Sequence, residues 1–167
     1  NTALGYQALR DTTGTGNTGV GFNNLASNTT GTYNTALGTE ALSSSTTASF
    51  NTAVGYRAML FTTTGTGNTA LGRSSLQTNS TGQYNTALGY LSLFATTTGA
   101  DNTAVGSSAL TANTTGFQNT AVGNDVLGYN TIGNDNVGVG YRCMLFNTGS
   151  NNSGLGSNAL RGNTTGS

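Results

Sequence analysis

Histidine, lysine, proline and tryptophan are absent from this chain, and cysteine occurs once, as Cys143. Without histidine there is no catalytic triad and no histidine metal site; without lysine there is no Schiff base and no Lys-Asn isopeptide cross-link. A single cysteine excludes an intrachain disulfide framework. It fills a slot that other copies of the pattern described below give to small residues such as Ala8, Ala58, Ala109 and Ala159, which makes it a small buried hydrophobe. Charged residues are 6% of the chain, against about 25% in ordinary soluble proteins. The five basic residues, all arginine, balance five acids, so there is no electrostatic footprint for nucleic acid or an anionic membrane. No run of apolar residues is long enough to span a bilayer, and no secretory signal is visible. Absent proline and apolar residues held in strict columns also argue against disorder, despite the abundance of Gly, Thr and Asn.

What is present is one short unit, Asn-Thr-Ala-(Val/Leu)-Gly and its continuation, repeated ten times. Copies begin at Asn1, Asn17, Asn34, Asn51, Asn68, Asn85, Asn102, Asn119, Asn136 and Asn152, in steps of 16 or 17 residues. The array covers residues 1–167 as a single domain, begins and ends in mid-pattern, and reads as a segment of a longer fibre. A fixed period this short implies a solenoid in which each copy touches mainly its neighbours.

Counting each unit from its Asn, two columns are always apolar. Position 4 is Leu4, Val20, Leu37, Val54, Leu71, Leu88, Val105, Val122, Val139 and Leu155. Position 9 is Leu9, Leu25, Leu42, Met59, Leu76, Leu93, Leu110, Leu127, Met144 and Leu160. Both columns are expected to form the structural core. Position 5 is always Gly and position 3 always Ala or Gly, and each unit ends in a polar turn such as Asn28-Thr29-Thr30-Gly31. Gly and Thr disfavour helix, and two apolar residues per unit cannot draw a helical stripe. The expectation is an all-β parallel solenoid with two short strands per coil, over about positions 2–6 and 7–11, and coils about 4.8 Å apart. The invariant Asn is expected at a corner, in an amide ladder, where it could also take a left-handed backbone. Strand one carries a bulky face (positions 2, 4 and 6) and a tiny one (positions 3 and 5). A face held to Ala and Gly suggests close approach of another backbone. Two anchors leave a thin coil under-filled, which points to a second face covered by another chain.

Asn-Thr-Ala-Val-Gly, an Ala-Leu pair and an Asn-Thr-Thr-Gly turn together resemble the head repeats of trimeric autotransporter adhesins (YadA-like heads). They are equally similar to the repeat regions of phage tail fibres and tail-fibre-like bacterial surface proteins. The resemblance covers the whole chain. It implies a left-handed β-roll, three chains side by side as a homotrimer, and an extracellular place on a cell or virion surface. The usual head repeat is shorter and reads Ser-Val-Ala-Ile-Gly; here the added residues enlarge the Thr-Thr-Gly turn.

A longer period is also visible. Gly55-Tyr56-Arg57-Ala58-Met59-Leu60-Phe61 returns five copies later as Gly140-Tyr141-Arg142-Cys143-Met144-Leu145-Phe146. Tyr56, Arg57, Tyr141 and Arg142 form a candidate contact patch, because aromatic and Arg side chains are favoured at binding hot spots. Asp101 and Asp135 lie two coils apart, too far for paired-carboxylate catalysis, and no calcium-binding nonapeptide is present. Asn28, Asn79, Asn113, Asn151 and Asn163 match the N-glycosylation pattern but are read as turn residues.

These readings give a non-enzymatic, cofactor-free structural and adhesive segment of a trimeric surface fibre, holding a binding tip away from the surface. Its partners would be its own copies, also stacked end to end, and a host surface protein or glycan, with no nucleic acid and no membrane insertion. The alternatives are the shaft of a phage or virus tail fibre, and an ice-binding solenoid presenting the Thr column at position 2.

Overall fold

The computed structural model describes residues 1–164; the end of the array at Ser167, and Thr165 of the Asn163 glycosylation pattern, lie outside the described residues. Ten three-residue strands follow the repeat: β1 Thr2–Leu4, β2 Thr18–Val20, β3 Thr35–Leu37, β4 Thr52–Val54, β5 Thr69–Leu71, β6 Thr86–Leu88, β7 Thr103–Val105, β8 Thr120–Val122, β9 Val137–Val139 and β10 Ser153–Leu155. They form one parallel sheet in sequence order, and equivalent residues pair, as in Thr69↔Thr86, Ala70↔Ala87 and Leu71↔Leu88. The chain is a β-solenoid.

Each coil carries one strand, and the second strand expected over positions 7–11 does not form. Positions 7 and 9 both have left-handed backbone, as at Arg57 (φ 57) and Met59 (φ 50), so the chain there turns twice instead of extending. Strand one also stops at position 4, because the following glycine lies near φ 130. Coils are still tied along much of their length, in both directions. The N–H of Leu42 donates to Ala58 O in the next coil (3.1 Å), and that of Glu40 donates to Phe22 O in the previous one (2.9 Å). The turn threonines add a side-chain ladder: the hydroxyls of Thr46, Thr63, Ser80 and Thr97 each donate to the carbonyl of the equivalent residue one coil on.

The tiny face of the strand points into the coil. Ala36, Ala53, Ala70, Ala87, Ala104 and Ala121 are fully buried, together with the position-9 column from Leu9 to Met144. Leu160, in the last coil, is exposed. The position-4 column corrects the expectation of two core columns. None of its ten side chains is buried, and Leu71 is 47% exposed. The reason is steric. The inner layer already holds one Leu or Met, the Ala of the strand, a small residue at position 8 and two polar side chains, so the bulky alternate positions of the strand face outwards. The Ala/Gly column therefore marks close packing inside one coil and not the approach of a second chain.

That packing is tuned coil by coil. Position 3 is Gly only at Gly19, Gly138 and Gly154, and these glycines adjoin position-8 residues larger than the usual Ala or Ser: Asn24, Val126 and Cys143. A Cβ at Gly138 would lie 2.6 Å from Val126 Cγ1, and one at Gly154 would lie 2.7 Å from Cys143 Sγ. Gly138→Ala is expected to destabilise by about 1–3 kcal/mol through overpacking. In a denaturation cycle Val126→Ala should remove most of that loss, and additive effects of the two changes would refute the compensation.

Candidate functional site

The invariant asparagines line the interior. Each from Asn17 to Asn136 is buried. Asn68 is representative: its Nδ2 donates to Asn51 Oδ1 (3.2 Å) and to Gly82 O at the far end of its own coil (2.9 Å). Its Oδ1 accepts from the backbone N–H and the Nδ2 of Asn85, at 2.9 and 3.2 Å. Every polar valence of the amide is used, and the ladder runs without a break from Asn17 to Asn152. The left-handed corner residue is not the Asn but the one before it, such as Tyr33, Tyr84 or Asp101. Turn residues Asn28, Asn79 and Asn113 are also buried, each donating to the carbonyl of its turn glycine (3.0 Å), so these three glycosylation patterns have no accessible amide.

The candidate contact patches lie outside. Arg57 stands over the Tyr56 ring at 4.9 Å and its Nε bonds Glu40, one coil below, at 2.6 Å. The duplicated patch repeats the arrangement: Arg142 lies 5.1 Å from the Tyr141 ring and 3.3 Å from Asp125. Arginine and acid occupy the same position in adjacent coils, a signal present in the sequence as acid and Arg 17 residues apart. Solvent screens these half-exposed pairs, so they order the surface more than they stabilise the fold. Arg73 was not singled out by the sequence, yet it lies between two rings of its own column, 6.0 Å from Tyr56 and 5.6 Å from Tyr90. It joins the first patch to a third tyrosine and makes no ion pair among the described residues. Further exposed rings stack between neighbouring coils: Tyr6 on Phe22, Tyr33 on Phe50 and Tyr129 on Phe146.

The sheet carries a further exposed column. Position 4 supplies an outward apolar column through all ten strands, flanked by the Thr column at position 2. The hydroxyls of Thr18, Thr35, Thr52, Thr69, Thr86, Thr103 and Thr120 bond to nothing among the described residues.

Little else invites chemistry. Cys143 is buried in the core, and burial pushes its thiol up from the usual value, which keeps it protonated. Arg10 holds the Asp11 carboxyl below its usual range through a side-chain hydrogen bond, in an exposed pair. Among the described residues no three His, Cys, Asp or Glu side chains gather closely enough to hold a metal ion. Among the same residues no helix is long and apolar enough to cross a membrane. No protein-family model, no curated protein and no solved structure matches this chain.

Proposed function

We propose that the chain is a structural and adhesive segment of a homotrimeric surface fibre, extending a binding tip from a bacterial cell; the same physics serves the shaft of a phage or virus tail fibre. The observation that carries this reading is the outward position-4 column. An unbroken row of Leu and Val along an in-register parallel sheet, on a chain whose strands turn only Ala or Gly inwards, is a face that gains by being covered. The near absence of net charge suits close lateral packing of identical chains.

Light scattering tests the assembly. Three chains of 16.8 kDa, about 50 kDa in all, are expected. Leu71→Glu combined with Leu88→Glu should yield a monomer whose circular dichroism is unchanged, because both side chains lie outside the core. A stable monomeric wild type would overturn the trimer. One observation favours a second reading in that event: the Thr hydroxyls at position 2, without partners among the described residues, repeat at the coil spacing on an in-register sheet, which suits an ice-binding face. A thermal-hysteresis assay decides it.

A further inference from the structure

The solenoid is periodic, so a place where the period fails is informative. One lies beside the second contact patch. Over the coils beginning at Asn85, Asn102, Asn119 and Asn136, positions 7 and 10 flank a depression of about 360 Å³. Position 10 is bulky at its two ends, Phe94 and Leu145, but is Thr111 and Gly128 between them. Gly128 contributes only backbone to the wall, and Leu145 leans over it, its Cδ1 3.0 Å from where a Cβ would stand.

Its walls combine two chemistries. One rim is the Tyr129 ring, 57% exposed and held by stacking on Phe146 at 5.2 Å. The other carries Asp125 and Arg142, which neutralise each other at 3.3 Å and keep outward edges free, since their side chains are 30% and 40% exposed. The hydroxyls of Ser108 and Thr111, on the same walls, have no hydrogen-bond partner among the described residues. An exposed aromatic ring thus borders an array of one carboxylate acceptor, one guanidinium donor and two hydroxyls, with no net charge.

From this we infer that the depression is a subsite for a neutral saccharide unit of a surface glycan. A pyranose offers an apolar C–H face to an aromatic ring and a fringe of hydroxyls that both donate and accept, which is the complement of this wall. The volume falls within the range of small-ligand sites, about 300–1,000 Å³. Carboxylate and guanidinium side by side can bracket two adjacent sugar hydroxyls, the acid accepting from one while the arginine donates to the other. An anionic ligand is disfavoured because Asp125 sits in the wall.

The inference names the ligand of the adhesive half of the proposed function and does not depend on the trimer. A monomer that binds saccharide would remove the fibre assembly and keep the site; a trimer that binds none would do the reverse. The test is saturation-transfer NMR on the full chain with three probes: methyl β-glucopyranoside, methyl β-galactopyranoside and N,N′-diacetylchitobiose. At least one should show transfer to its ring C–H protons. Tyr129→Ala should weaken that probe at least tenfold. Gly128→Gln should do the same by filling the depression, with a residue that position 10 already carries as Gln77. Tyr33→Ala removes an equally exposed stacked ring outside the site and should leave binding unchanged. No transfer from any probe, or equal loss in Tyr33→Ala and Tyr129→Ala, overturns the site.

Discussion

Gly72→Ala is expected to destabilise the array by about 3–5 kcal/mol, the sum of backbone strain and a forced steric overlap. Gly72 has φ 135, a region closed to residues with a Cβ. A methyl group placed there would lie 2.6 Å from the carbonyl oxygen of Gly89 in the next coil. That oxygen cannot retreat, because the equivalent glycines form a backbone stack from Gly5 to Gly140 in which each Cβ position is filled by the next glycine. In a one-dimensional array the damage is confined to a single interface between coils. Urea denaturation should therefore show two transitions in place of one, as the two halves lose their coupling. Gly162→Ala is the control. It has ordinary φ and nothing within 4 Å of its Cβ position, and should change stability by about 0.5 kcal/mol at most. If Gly72→Ala unfolded at the wild-type midpoint, the glycine stack would be incidental.

The period, the in-register parallel sheet and the all-β class were legible in the sequence because each follows from spacing alone. The turn-rich half of the coil was not. A left-handed backbone is normally announced by Gly, Asn or Asp, whereas here it occurs at Leu25, Leu42, Leu76 and their equivalents, a residue type that seldom adopts it. These leucines tolerate it where burial and coil-to-coil hydrogen bonds on both sides hold the backbone, so no local signal marks them. The facing of strand one stayed open in the sequence for a related reason. Alternation fixes which residues share a face but not which face is inner, and the usual rule of bulky side inwards fails when the coil is too narrow. The sequence did contain the correction: Gly at position 3 coincides with Asn24, Val126 or Cys143 at position 8, a size exchange that makes sense only if position 3 points inwards. The saccharide depression was hidden because its walls come from four coils and not from a motif.

Asn68→Ala is expected to destabilise by about 3–5 kcal/mol, comparable with breaking a buried polar network. The substitution strips two buried donors of their acceptor, the N–H and one Nδ2 hydrogen of Asn85, while Asn51 Oδ1 and Gly82 O each lose one donor and keep another, the N–H of residue 68 and Asn79 Nδ2. Backbone strand pairing survives, so the loss measures the amide ladder by itself. Asn68→Asp separates the two halves of the amide. A carboxylate still accepts from Asn85 but faces Asn51 Oδ1 and Gly82 O with no hydrogen to give, and it is buried. Both effects favour the protonated acid, so its folded pKa must rise above the unfolded value of about 3.9. The sign follows: stability is fully present below about pH 3.9 and is lost as the pH rises towards the folded pKa, because the folded state holds a proton that the unfolded state has released. Denaturation midpoints of Asn68→Asp, corrected by the wild type at each pH, should therefore fall between pH 4 and pH 7. A flat difference across that range would mean that the ladder has opened and that water, not Gly82 and Asn51, surrounds the substituted side chain.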